Sequence, residues 1–250
     1  MVDMVNELDG KVAIVTGSAR NIGRATAEEL ARAGAAVVIN SVQAKDLCEE
    51  VVEGIRAAGG KAIPFMADVR DPDAVTAMAA AASRYFGGID ILVHNAAVRN
   101  NTSFEDMDLE TFSTTVDISI YGMFHLAKAV LPSMKERGGG AIIGVGGMTS
   151  TRGAATRSHT MAAKMGLNAL IRGLALGQIA GNNKQWLYNK ELWVGMSNGL
   201  VWALVVGGIS YLWFNDPLIT LVITLAIFIN MSLANLSGNL RLHSIHYDCF

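Results

Sequence analysis

Charge is what this sequence has least of. Only 17% of its 250 residues are charged, against roughly 25% in ordinary soluble domains, and the mean hydropathy is +0.34. The shortage is local. Beyond Glu191 formal charge remains only at Asp216, Arg241 and Asp248, whereas residues 1–172 hold a normal mixture. There is no basic run and the net charge is −2, so the electrostatic footprint of a nucleic-acid binder is missing and nucleic acid is not expected as a partner. Cysteine is scarce as well. Cys48 and Cys249 lie far apart without metal-ligand spacing, which argues for no metal site and for a reducing compartment. The opening MVDMVNELDGK carries no apolar signal segment, so a cytoplasmic setting is expected for this part of the chain. All four tryptophans, Trp186, Trp193, Trp202 and Trp213, fall in the charge-poor tail. Two units of different character are therefore expected, with the boundary near residues 177–190.

The first unit alternates strand and helix patterns. KVAIVT (residues 11–16) is a short β-rich apolar run, Gly17 to Gly23 forms a turn, and Arg24 to Ala33 reads as a helix stopped by Gly34. The pattern repeats with strands at 35–40, 61–66, 89–94 and 140–146 and helices at 43–58, 72–86, 109–136 and 157–176. Alternation of this kind predicts an α/β fold, a doubly wound parallel sheet of Rossmann type with right-handed crossovers. TGSARNIG (Thr16 to Gly23) closes the first strand and opens the first helix. Backbone N–H groups at a helix N-terminus attract phosphate, and small residues allow its close approach. Asn21 stands where such turns usually place a glycine, and asparagine is among the residues that best tolerate positive φ.

Three further stretches, ADV (Ala67 to Val69), HNAA (His94 to Ala97) and SHTMAAKMGL (Ser158 to Leu167), complete a set whose order and spacing resemble the short-chain dehydrogenase/reductase family. The resemblance runs over about residues 8–176. It implies nucleotide binding by Gly17, Arg20, Asn21, Ile22, Gly23, Asn40, Ser41, Asp68, Val69, Asn95, Ala96 and Lys164. Asp68 would hold the adenine, and Asn95 with Ala96 would brace the central strand beside the cofactor. An acid at the end of the second strand would favour NAD through the ribose 2′-OH. Asn40 and Ser41 stand there instead, and Arg20 is placed to meet a 2′-phosphate, so the expected cofactor is NADP or NAD, with NADP preferred. The alternative is that Asn40 caps the turn and Arg20 is solvated. The resemblance also implies a homo-oligomer packed through helices 109–136 and 157–176.

The family's chemistry uses a tyrosine as acid/base, a lysine four residues later, a serine that orients the carbonyl and an asparagine in a proton relay. Only the lysine, Lys164, matches. Thr160 holds the tyrosine position, Gly147 the serine position and Ser119 the asparagine position. An aliphatic hydroxyl is a far weaker acid than a phenol of pKa about 10, so Thr160 does not inherit the tyrosine's role near neutral pH. His159 is a tempting substitute, but one residue along a helix turns a side chain by about 100°. That takes His159 off the face shared by Thr160 and Lys164, and a surface or interface histidine is expected. Thr149 and Ser150 are the nearest other hydroxyls.

Beyond Leu176 the chain departs from the family. No sixth strand, Pro-Gly segment or substrate lid follows, so the sheet should stop at five strands in the order 3-2-1-4-5, leaving the fifth as an uncovered apolar edge. Residues 177–191 read as a linker. Leu192 to Asn215 and Pro217 to Leu240 are uncharged throughout, each longer than the about 20 residues that span a bilayer core. Asp216 with Pro217 makes the turn, aromatic residues gather near the ends, and Lys184, Lys190 and Arg241 place both ends in the cytoplasm. A membrane hairpin over 192–240 in the cytoplasmic membrane is expected, the alternative being a buried hairpin of a soluble protein. The strings RGLALGQI, KELWVGMSNGL and NMSLANLSG, within residues 171–238, resemble the membrane domain of MgtE-class magnesium transporters. Its acidic pore residue and sensing domains have no counterpart here. The terminal LRLHSIHYDCF (240–250) is unassigned, its histidines and Cys249 too sparse for a metal site. The leading reading is a divergent or inactive oxidoreductase unit, residues 1–176, on a membrane anchor, joined as a fusion. The competing ones are a truncated transporter fragment carrying a soluble passenger and a nucleotide-binding module without chemistry.

Overall fold

The computed structural model describes residues 7–147, 153–181 and 244–245. The chain divides into two units, Met1–Gly173 with Leu242–Phe250, and Leu174–Arg241. Of the second, only the end of one helix is described. Among the described residues no helix is long and apolar enough to cross a membrane. The spans expected at 192–215 and 217–240 lie outside them.

In the first unit, strands β1 (Val12–Val15), β2 (Ala36–Ser41), β3 (Lys61–Met66), β4 (Ile91–His94) and β5 (Ala141–Val145) alternate with helices α1 (Asn21–Arg32), α2 (Lys45–Ala57), α3 (Pro72–Phe86), α4 (Leu109–Val116), α5 (Gly122–Glu136) and α6 (Ser158–Gly181). The sheet is parallel throughout, in the order β3-β2-β1-β4-β5, with Ile14 opposite Val38 on one side and Leu92 on the other. The central strands are buried on both faces and carry the continuous apolar runs this requires. Val15, Val37, Ile39 and Val93 pack with Val51, Val52 and Ile55 of α2 into one core. α1 adds Gly23, Ala27 and Ala31, a small-residue stripe that brings its axis close to the sheet.

Local signals set the element ends. Asp71 accepts hydrogen bonds from the Asp73 and Ala74 amides, Pro72 follows at the first helical position, and Gly87 closes α3 at φ 87°. This is the usual asymmetry of helix starts and stops. At the lower edge of the sheet, buried Asp90 accepts from the Val12 amide at 2.9 Å and pairs with Arg137 at 2.9 Å and Lys11 at 3.4 Å. Burial raises the Asp90 carboxyl pKa, but the Arg137 hydrogen bond and the other donors outweigh it and hold it below the usual carboxylate range.

Two expectations change. The continuous helix over 109–136 is interrupted by a π-helical turn at Asp117–Tyr121, between α4 and α5. The turn lies against the end of β4 and the stretch after β3. The Ile118 carbonyl receives a hydrogen bond from the His94 ring at 3.0 Å, and Gly122 lies so close to Val69 that a Cβ there would stand 2.8 Å from its Cγ2. The fifth strand is also not left bare. Ser244–Ile245 adds a short parallel strand, β6, with Gly144 opposite Ser244 and Val145 opposite Ile245, so part of the unassigned tail pairs with the edge that was expected to be open.

Candidate nucleotide site

The strand order reverses between β1 and β4, and in open α/β sheets ligands bind at such a switch point, beyond the carboxyl ends of the strands. Here Thr16 and Gly17 follow β1, and His94 closes β4 with Asn95 next in the chain. The Asn95 amide group donates to the Thr16 carbonyl at 3.1 Å and to the Gly17 carbonyl at 3.0 Å. The Thr16 hydroxyl, fully buried, accepts from the Asn95 and Ala96 backbone amides, both at 3.1 Å. These bonds pin the turn after β1 to the end of β4. Gly17 has φ 62° and Asn21 φ 51°, so the residue standing in for a glycine occupies the left-handed region that asparagine tolerates. A Cβ on Gly23 would overlap the Gly17 carbonyl oxygen. The absence of that atom lets α1 start close against the turn.

A second set of bonds joins the turn to β2 and β3. Ser18 Oγ donates to the Val15 carbonyl at 2.7 Å and accepts from the Asn40 amide at 2.9 Å. The Asn40 side chain is buried. Its Oδ1 receives the Gly17 N–H at 3.4 Å, and its Nδ2 donates to the Phe65 and Ala67 carbonyls at 3.1 and 3.0 Å. Both of its amide hydrogens are used, so this side chain shapes the cradle from beneath. Ser41 is half-buried and Arg20 exposed, and no acid stands among residues 40–45.

Asp68, the expected adenine contact, is gripped by Arg70 through both carboxylate oxygens, at 3.0, 3.1 and 2.6 Å, and also accepts the Arg70 amide at 2.9 Å. The Arg70 side-chain bonds hold its carboxyl below the usual range against partial burial. Val69 is buried beside Gly122. Ile22 is half-buried in the first turn of α1.

Lys164 lies on α6 with Nζ donating to the Val145 carbonyl at the end of β5, at 2.7 Å. It is 9% exposed. Burial, aided by the nearby Arg99 charge, brings its ammonium pKa down to about 8. Thr160 is half-buried one helical turn before it. Ser119 is buried in the π-helical turn. Gly147 follows β5 at the last described residue of that loop, and Thr149 and Ser150 lie outside the described residues. His159 is not at the surface as expected. It is fully buried, and neither ring nitrogen has a hydrogen-bond partner among the described residues. Five residues before Lys164 on the helix, it is rotated by about 140° from that side chain and turns inward here.

His94 and Thr16 carry roles that the motif strings alone did not assign. His94 is fully buried, Thr16 Oγ lies 3.1 Å from its Nδ1, and its Nε2 meets the Ile118 carbonyl. Burial, then the Lys164 charge, lower its pKa to about 3, so the ring is neutral. The signal in the sequence was a polar residue at each end of two adjacent apolar strands, which must find partners when buried.

The family model described as short chain dehydrogenase matches residues 11–180. The chain belongs to the short-chain dehydrogenase family. Its relatives include the L-rhamnose 1-dehydrogenase (NAD(P)(+)) of Azotobacter vinelandii, 40% identical over 170 residues, 66% of each chain. The 7alpha-hydroxysteroid dehydrogenase of Escherichia coli is 33% identical over 168 residues, 67% of this chain and 65% of that one. Among solved structures, a metagenomic short-chain oxidoreductase in complex with NADP superposes with a TM-score of 0.65 at 30% identity, covering 69% of this chain and 78% of that one. This chain thus spans about two thirds of the length of the curated relatives it matches. A second family model, described as a divalent cation transporter, matches residues 161–247. It overlaps the end of the short-chain dehydrogenase match along α6.

Proposed function

We propose that this family member binds NADP in preference to NAD on the turn from Gly17 to Gly23 and turns over carbonyl or alcohol substrates at a rate far below that of family members with the full catalytic set. The observation that carries the binding half is the cradle itself. Asn95 holds the Thr16 and Gly17 carbonyls, Gly23 lacks the Cβ that would overlap Gly17, and α1 begins at that turn. A pyrophosphate fits such a cradle because the unpaired N–H groups and the helix dipole both favour an anion. Asp68 and Val69 would take the adenine end and Lys164 the ribose. Arg20 and the acid-free stretch after β2 support NADP. When bound, the nicotinamide supplies the hydride.

The chain's own residues decide what happens to the proton. Lys164 is kept, but no phenol stands at position 160, Gly147 has no side chain to orient a carbonyl, and Ser119 puts a hydroxyl where the family has the relay asparagine. General acid/base catalysis contributes about 10²- to 10⁴-fold, which is the deficit proposed here. Calorimetry of the full chain with NADP and with NAD tests the reading. Saturable heat with NADP, weaker with NAD, is expected, and no heat with either from folded protein overturns it.

Residues 192–240 are proposed as a membrane anchor, on their uncharged length and on the transporter match to residues 161–247. Carbonate-washed membranes should retain the full chain and lose a version ending at Gln178. Protein that stays soluble and monodisperse without detergent would refute the anchor. The exposed Leu109, Tyr121, Phe124 and Met165 on α4, the π-helical turn, α5 and α6 support self-association through these helices.

A further inference from the structure

Every hydrogen at the junction of β1, β4 and the π-helical turn can be placed from the bond pattern. A hydroxyl has one O–H to donate and two lone pairs to accept with. At Thr16 both lone pairs are filled by the Asn95 and Ala96 amides. Its hydrogen must therefore go to the third neighbour, Nδ1 of His94, at 3.1 Å. Nδ1 is then the bare nitrogen, and the proton of the neutral ring sits on Nε2, pointed at the Ile118 carbonyl 3.0 Å away. The four bonds run head to tail, from the two amides through the hydroxyl and the ring to the carbonyl, a sequence in which each bond polarises the next. An imidazolium would turn a second N–H against the Thr16 hydroxyl and stand near the Lys164 charge, which together with desolvation opposes that state.

The two ends of this chain of bonds lie on functional ground. Thr16 and Asn95 hold the nucleotide turn, and Ile118 precedes Ser119 on the π-helical turn. π-helical turns within α-helices are rare and are frequent at functional sites. Here the carbonyl that meets the His94 ring belongs to that turn.

We propose that His94 is a positioning residue that ties the nucleotide turn to the π-helical turn as one rigid element, held in its Nε2–H tautomer by the Thr16 hydroxyl. It touches neither nucleotide nor substrate. It acts through Thr16 on one side and Ile118 on the other, so that occupancy of the cradle is felt at the turn carrying Ser119. This last link rests on the nucleotide-binding reading above, whereas the tautomer and the tie itself do not.

The test uses the full chain with 15N-labelled histidine and two variants. His94→Leu fills the space without either ring nitrogen, and His94→Gln offers one amide donor and one acceptor. The wild type should show a His94 signal, assigned by its loss in His94→Gln, with a pyridine-like Nδ1 and a pyrrole-like Nε2 at pH 7. Hydrogen exchange at residues 117–121 should be at least tenfold faster in His94→Leu with β2 and β3 unchanged, and within about threefold of wild type in His94→Gln. NADP should slow exchange at 117–121 in the wild type and in His94→Gln but not in His94→Leu. A pyrrole-like Nδ1, or equal exchange at 117–121 in all three proteins, overturns the proposal. If His94→Leu does not fold, the tautomer and the His94→Gln exchange decide it alone. Wild type that binds no NADP yet shows the expected tautomer and a faster turn in His94→Leu would refute the nucleotide reading and leave the tie standing.

Discussion

Replacing Gly23 by alanine sets two effects of known size against each other. Alanine is favoured over glycine within a helix by about 0.8–1 kcal/mol, so on propensity alone Gly23→Ala would stabilise α1. The new Cβ, however, would overlap the Gly17 carbonyl oxygen and stand 2.5 Å from Asn95 Nδ2 and 2.9 Å from the Gly17 carbonyl carbon. Two of these neighbours are backbone atoms, and the third, the end of the Asn95 side chain, is tied to the Thr16 and Gly17 carbonyls. Overpacking of this kind costs about 1–3 kcal/mol, and moving Gly17 also strains the Asn95 bond to its carbonyl, worth about 1 kcal/mol. The net expectation is a loss of about 1–3 kcal/mol in stability and at least about a tenfold loss in NADP affinity, tenfold corresponding to about 1.4 kcal/mol. Gly54, in the interior of α2, is the control, because a Cβ there meets nothing within 4 Å. Gly54→Ala should gain up to about 1 kcal/mol and leave NADP binding unchanged. Hydrogen exchange of β1 and β4 against urea reads stability, since the four tryptophans all lie beyond residue 185. Gly23→Ala as stable as wild type with unaltered NADP affinity would refute the close approach of α1 to the cradle.

Acid should destabilise the fold through His94. Its folded pKa of about 3 lies below the unfolded value of about 6.5, so this stability is complete above pH 6.5 and declines as pH falls toward 3. Between pH 6.5 and 5 the loss is about 2 kcal/mol, and urea midpoints of His94→Gln should lack it; a parallel decline in both proteins would contradict the assignment. Asp90→Asn should cost about 1–3 kcal/mol by leaving the Arg137 charge short of its partner, and an unchanged urea midpoint would show that the Asp90 cluster is idle. Thr160→Tyr combined with Gly147→Ser should raise NADPH-dependent carbonyl reduction over the unmodified protein, whereas brisk turnover before the change that survives Lys164→Ala would mean that the chemistry lies elsewhere.

Much of the sheet was legible because its signals are local. Strand 61–66 and helix 72–86 fall where the repeating strand and helix pattern put them, and Asp71 with Pro72 and Gly87 close the helix ends in the structure. The cradle was legible for the same reason, as Gly17, Asn21 and Gly23 are read from one turn. The π-helical turn was not, because one extra residue in a turn barely disturbs the apolar pattern, and its bond to His94 joins residues 24 apart in sequence. His159 was misplaced because the rotation per residue tells which face a side chain shares and not which face is buried. Asn40 was read as a nucleotide contact from its position at the end of β2. Its three side-chain bonds to the turn and to β3 depend on strand pairing that only the folded sheet supplies. The Arg70 grip on Asp68 spans two residues and was within reach of the sequence, as an opposite charge beside the expected adenine contact.

The central claim, a working nucleotide cradle attached to a depleted catalytic set, is tested most directly by measuring NADP binding and carbonyl reduction on one preparation of the full chain. Saturable NADP binding that weakens in Lys164→Ala, with turnover at least about a hundredfold below a family member carrying the tyrosine and serine, is the predicted result. Folded protein that binds neither NADP nor NAD, or that reduces carbonyls at the family member's rate, would contradict it.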